Sequence, residues 1–165
     1  MSGLQSGEGK SMAMAIREDQ PDLRRMGFDL EVVDGWPPVS VETLWVKSVG
    51  DGNFQIDNSP FFVRDLAVGD VVEGEGASGE LLRFLGKVSS GGHSTVWVMA
   101  LTDKARRSLA AEIKDLGCHV EDSPWPSLLS VDVPDQMHLD ELHRHLTVLA
   151  STDRVEFVDA CIGAS

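Results

Sequence analysis

From residue 41 to residue 49 the side chains alternate in character, with Leu44 and Val46 on one side and Thr43, Trp45 and Lys47 on the other. A period of two predicts a half-buried β-strand, because successive side chains leave opposite faces. The turn Gly50-Asp51-Gly52-Asn53 follows and residues 54–57 return, which predicts a hairpin. Asn58-Ser59-Pro60 breaks the strand, and Phe61-Phe62-Val63 is expected to resume it. Gly69-Asp70 opens another strand at 71–75, a turn occupies 76–79, and a long strand at 81–88 ends in Ser89-Ser90-Gly91-Gly92. Short strands punctuated by turns predict a small, strongly bent β-barrel of SH3-like kind over residues 41–93.

Past His93 the period changes. Residues 94–101 form an apolar strand containing Val96, Trp97, Val98, Met99 and Leu101. Thr102 or Asp103 then caps a helix whose buried stripe is Ala105, Leu109, Ile113 and Leu116, with Gly117 ending it. Residues 118–121 and 128–133 read as two strands across Ser123-Pro124-Trp125-Pro126. A second helix begins at Pro134-Asp135, with Leu139, Leu142, Leu146 and Leu149 spaced by three and four, and 155–162 is the last strand. This β-α-β-β-α-β order predicts a ferredoxin-like sandwich over residues 94–165, with an antiparallel sheet and both helices on one face. The fold class is therefore α+β.

Residues 1–40 are expected to be a tail and linker, partly flexible, since 1–20 carry no steady period. Phe28, Leu30 and Val32 offer one further strand before the turn at Asp34-Gly35; Trp36-Pro37-Pro38 cannot lie inside a sheet and reads as a linker packing Trp36 on the domain, against a partner-binding polyproline stub. The fragment Gly7-Glu8-Gly9-Lys10-Ser11 suggests a phosphate loop. It fails because that motif needs glycine where Leu4 stands, with a strand before it.

The chain has 165 residues, 42% hydrophobic and 25% charged, enough to bury a core without disulfide or metal. Its two cysteines, Cys118 and Cys161, are far apart and read as reduced thiols of a cytoplasmic protein. The net charge of −13 is spread along the chain: 4 basic and 7 acidic groups in 1–40, 4 and 8 in 41–91, 6 and 12 in 92–165. Binding nucleic acid through its phosphates needs clustered Lys and Arg, so no nucleic-acid partner is expected. A basic protein partner is compatible with the charge. Uninterrupted apolar runs are too short to span a bilayer, and the N-terminal stretch lacks the pattern of an export signal.

Candidate chemistry gathers where barrel meets sandwich. His93 either pins the two halves together, contacts a ligand, or acts as a general base. Ser94 is its neighbour in an extended strand and points the other way, whereas Thr95 shares its face and is placed to bond to it. Asp57 and Asp70 are candidates for paired-carboxylate work, against Asx-turn and tight-turn roles. Phe61 and Phe62 either wall a pocket or divide between core and junction. The helix bearing His138, His143 and His145 resembles a metal site only superficially. His143 and His145 are about 200° apart around a helix, and His138 lies about 10 Å from His145 along it, so neither a metal nor a cofactor is expected. The doublets Arg24-Arg25 and Arg106-Arg107 read as helix surface, against contact with phosphate or an acidic partner. Trp125, between two prolines at a hairpin tip, is a candidate for contact with a protein partner, against packing back on the fold.

The segments Leu44-Trp45-Val46-Lys47, Asp57-Asn58-Ser59-Pro60-Phe61-Phe62, Gly69-Asp70-Val71-Val72 and Gly92-His93-Ser94-Thr95, followed by Val120-Glu121 and Val131 to Pro134, resemble the bacterial family known as domain of unknown function 4265. The resemblance covers roughly residues 42–162. It implies a bacterial, non-secreted protein and no particular reaction.

Two functions are expected from these residues. One is an acidic cytoplasmic module that sequesters or regulates a basic partner protein, as an immunity-type protein would. The other is a small-molecule binder or small enzyme using a cleft lined by Asp57, Phe61, Phe62, Asp70, His93 and Thr95. A homodimer through the sandwich sheet is a third possibility.

Overall fold

The computed structural model describes residues 11–12, 22–121 and 123–163. Ten strands and two helices are seen among them. They run in the order β1 (Ser11–Met12), β2 (Leu23–Asp29), β3 (Val41–Gly50), β4 (Asn53–Ile56), β5 (Val71–Glu75), β6 (Leu82–Ser89), β7 (Ser94–Ala100), α1 (Asp103–Asp115), β8 (His119–Val120), β9 (Leu128–Val133), α2 (Gln136–Ser151) and β10 (Val155–Cys161). The chain is α+β, with a closed five-stranded barrel followed by a second sheet and two helices.

The barrel runs β3-β2-β6-β5-β4 and closes where β4 returns to β3 through the hairpin at Asp51-Gly52. Its interior is filled by one alternate set of residues from each strand. Met26, Phe28, Leu44, Val46, Phe54, Ile56, Val72 and Leu82 are all buried there, joined by Leu66. Two expectations are corrected. The barrel takes β2 from the segment expected to be tail and linker, and β2 pairs antiparallel with β3 and parallel with β6. Arg24-Arg25 and Gly27 interrupt its apolar alternation, so the strand reads weakly although Leu23, Met26 and Phe28 are buried; the arginine doublet thus lies on a strand and not on the helix surface expected of it. Second, Phe61-Phe62-Val63 does not resume a strand. It belongs to a loop whose N–H groups bond to a side chain instead of a sheet neighbour.

The second sheet has the order β10-β7-β9-β8, every pair antiparallel. Helix α1 starts on Thr102, whose hydroxyl accepts from the Ala105 N–H, and α2 starts on Asp135, whose carboxylate accepts from the His138 N–H. Both helices lay their apolar stripes on one sheet face. Leu109, Ile113, Leu139, Leu142 and Leu146 meet Val96, Val98, Val131, Val133 and Val155 there. The opposite face is partly covered by the loop after β4. Phe61 and Phe62 pack there with Val39 and Leu128, joined by Trp97, Met99 and Trp125. No described helix is long and apolar enough to cross a membrane.

Candidate functional site

Glu42 anchors the loop that joins the two halves. It shares strand parity with Leu44 and Val46 and so points inward, fully buried. Its carboxylate accepts from three consecutive backbone N–H groups, Phe61 (2.6 Å), Phe62 (2.9 Å) and Val63 (3.0 Å). Burial outweighs these hydrogen bonds and pushes its pKa up to about 6. The sequence reading missed Glu42. The usable signal was a carboxylate on the apolar side of an alternating strand.

From this anchor the loop crosses to the second sheet. Asn58 Oδ1 accepts from the Trp45 N–H at 2.7 Å. The Ser59 hydroxyl meets that of Ser130 at 2.8 Å, and both Ser130 and the Trp97 indole N–H donate to the Pro60 carbonyl. Thr95 donates its hydroxyl to the Leu66 carbonyl at 2.9 Å, so it fastens the loop and does not bond to His93. Asp70 is fully buried and accepts from the N–H groups of Ala67 and Gly91, with Lys87 Nζ at 3.1 Å. Gly91 has to be glycine: a Cβ there would strike the backbone of Gly69.

His93 instead reaches β9. Its Nδ1 lies 2.6 Å from Asp132 Oδ1, and its side chain keeps 30% of its exposure. Asp57 is half-buried, and its N–H donates to the Trp45 carbonyl. Trp125 packs edge-on against Phe62 at 5.3 Å and beside Phe61, so the indole does not stand free. The six residues expected to line a cleft thus serve different neighbours. Phe61, Phe62, Asp70 and Thr95 are buried in the joint, and His93 sits at its rim.

A hollow of about 700 Å³ lies elsewhere, on the part of the sheet face that the loop leaves open. Trp97, Met99, Leu128 and Val158 form its apolar floor, with Trp36 and Leu101 at its edge. None of the six expected cleft residues lines it. Trp36 (55%), Leu101 (46%) and Val158 (43%) keep large exposed apolar surfaces. Arg64, from the same loop, stands over the Trp97 ring at 5.1 Å, while Asp153 and Glu156 supply negative charge. This volume falls in the range that accommodates a ligand or a partner's side chains. Of the expectations, the partner-binding reading of Trp36 alone touches this hollow, because Arg64, Trp97 and Val158 are far from it and from one another in sequence.

No group of three or more His, Cys, Asp or Glu among the described residues is arranged to hold a metal ion. Each of the five histidines instead meets a carboxylate. His138 pairs with Asp135, His143 with Asp159, His145 with Glu112 and His119 with Glu121, besides His93 with Asp132. Cys118 and Cys161 are buried and free, and burial raises the Cys118 thiol to about 11, which suits an inert thiol.

Comparison with known proteins bears on the fold and the family. A hypothetical protein from Neisseria gonorrhoeae, known from its crystal structure, superposes with a TM-score of 0.67 at 23% identity, over 87% of this chain and 96% of that one. No curated protein matches the chain. The family described as "Domain of unknown function (DUF4265)" matches residues 42–157, and the chain belongs to that family.

Proposed function

We propose that this chain is an acidic protein-binding module of the bacterial cytoplasm, which sequesters or regulates a basic partner protein. One observation carries this reading: the open sheet face beside β10 presents Trp36, Leu101 and Val158 to solvent around an apolar-floored hollow. Exposed aromatic and aliphatic groups rimmed by charge are the usual anatomy of a docking patch. The net charge of −13 favours a basic partner and opposes self-association through the same face. We read the barrel as SH3-like and the second half as a ferredoxin-like sandwich. The order β10-β7-β9-β8 and the two helices on one face support the latter.

Affinity capture from the native lysate, at low and high salt, tests the reading with wild type and Val158→Asp. A basic protein retained at low salt, released at high salt and lost in the variant is the expected result. Equal capture by both proteins would remove the hollow from the account.

A second reading, small-molecule handling at the joint, is favoured by His93. With Nδ1 on Asp132, its Nε2 has no hydrogen-bond partner among the described residues. Metabolites that raise the melting temperature of wild type and not of His93→Ala would support it.

A further inference from the structure

We infer that the occupant of the hollow is an extended segment bearing Lys or Arg, added to β10 as a fifth strand; the inference rests on the docking reading above. Among the described residues β10 is the last strand of its sheet. The Leu101 N–H donates to the Arg154 carbonyl opposite it, just past the end of the β7–β10 ladder, which sets the parity of that ladder although the Arg154 N–H itself turns to the Leu149 carbonyl. In an antiparallel ladder hydrogen-bonded pairs alternate, so Val155, Phe157 and Asp159 turn their N–H and C=O groups away from β7. Val155 is covered, while Asp159 is exposed and Phe157 half-exposed. At Ala160, beside the bulge that ends the ladder, the protein supplies a main-chain donor of its own: the Asp65 N–H bonds to that carbonyl at 2.8 Å. The loop thus closes one end of the edge and, among the described residues, leaves Phe157 to Asp159 open.

An added strand would hydrogen-bond to Phe157 and Asp159 and drop alternate side chains beside Val158, toward Trp36 and Trp97. The charges select the partner. Asp153, Glu156 and Asp159 outnumber Arg154 along this stretch; Asp159 is held by His143 and Arg64 also lines the hollow, so the exposed Asp153 and Glu156 carry the selection. Paired with a second copy of β10, these carboxylates would face like charges, which guards the edge against self-pairing. A strand carrying Lys or Arg meets opposite charge instead.

Panning a phage-displayed library of random 12-residue peptides against the whole protein tests this, followed by affinities and amide exchange with the winning peptides. Strand addition predicts basic peptides with alternating apolar residues, at least tenfold slower exchange at the Phe157 and Asp159 amides when bound, and lost binding in Val158→Asp. It also predicts at least tenfold weaker binding to Asp159→Pro, which removes an outward N–H that an edge strand can spare. Asp159→Ala, which keeps that N–H, should stay within about threefold of wild type. If Asp159→Pro does not fold, the amide exchange decides alone. Peptides lost in Val158→Asp that leave both amides unprotected would overturn strand addition and keep the docking reading. Peptides that bind Val158→Asp as well as wild type would overturn both.

Discussion

The Trp97 indole N–H donates to the Pro60 carbonyl at 2.8 Å, which ties the sheet floor to the loop that leaves the barrel. The same ring lies under Arg64 and lines the hollow, so one side chain both joins the halves and shapes the proposed docking surface. Trp97→Phe keeps most of the apolar ring and removes the donor. Since Ser130 still donates to Pro60, the cost should be about 1 kcal/mol of unfolding free energy, measured by urea denaturation.

Glu42→Ala should be far more damaging. It strands three buried or half-buried N–H groups at Phe61, Phe62 and Val63, and leaves space where the carboxylate sat. A loss of about 3–5 kcal/mol is expected, from about 1–3 kcal/mol for each orphaned donor with partial rescue by water. A loss below about 1 kcal/mol would show that the loop does not depend on this anchor.

The pH dependence of stability carries the signature of the same carboxylate. In the folded chain Glu42 holds its proton up to about 6, against 4.5 for an ordinary glutamate. Between these values the folded state binds more protons than the unfolded one, so Glu42 makes stability fall as pH rises from 4.5 to 6. The shift of 1.5 corresponds to about 2 kcal/mol. Glu112 acts oppositely. Burial alone would raise its carboxyl, but hydrogen bonds from Ser108 and His145 and the nearby His145 charge hold it below the ordinary value, so its contribution is lost as pH falls through that lowered range. Denaturation of wild type and Glu42→Gln at pH 4.5, 5.5 and 7 separates the two. The fall of about 2 kcal/mol assigned to Glu42 should be missing from the variant.

His93→Ala should leave the protein folded, with a loss of about 1 kcal/mol, because Asp132 on β9 keeps some contact with water. In the docking account this variant captures the partner as wild type does. Parallel pull-downs with both proteins check that.

The strands and helices of the second half were legible because their periods are clean. Leu139, Leu142 and Leu146 mark a helix face, and the caps Thr102 and Asp135 stand where capping chemistry puts them. β2 was only half legible, since Arg24-Arg25 and Gly27 sit between its buried residues. The strand expected at Phe61-Phe62 was misread for a physical reason: apolar residues there pack as a loop because Glu42, 19 to 21 positions earlier, satisfies their N–H groups. Asp70 reads from sequence as either a turn residue or a cleft carboxylate, and the reach of its carboxylate to Gly91 and Lys87 depends on tertiary contact. The hollow was invisible for the same reason, being assembled from Trp36, Arg64, β7 and β10.

Site-specific photo-crosslinking in living cells tests the docking claim most directly. A photoreactive amino acid would replace Val158 on the open sheet face and, in a control, Met137, which is 65% exposed on α2. The account predicts a discrete adduct with a basic protein from position 158 and none from position 137. The same adduct from both positions, or no adduct from position 158, would contradict it.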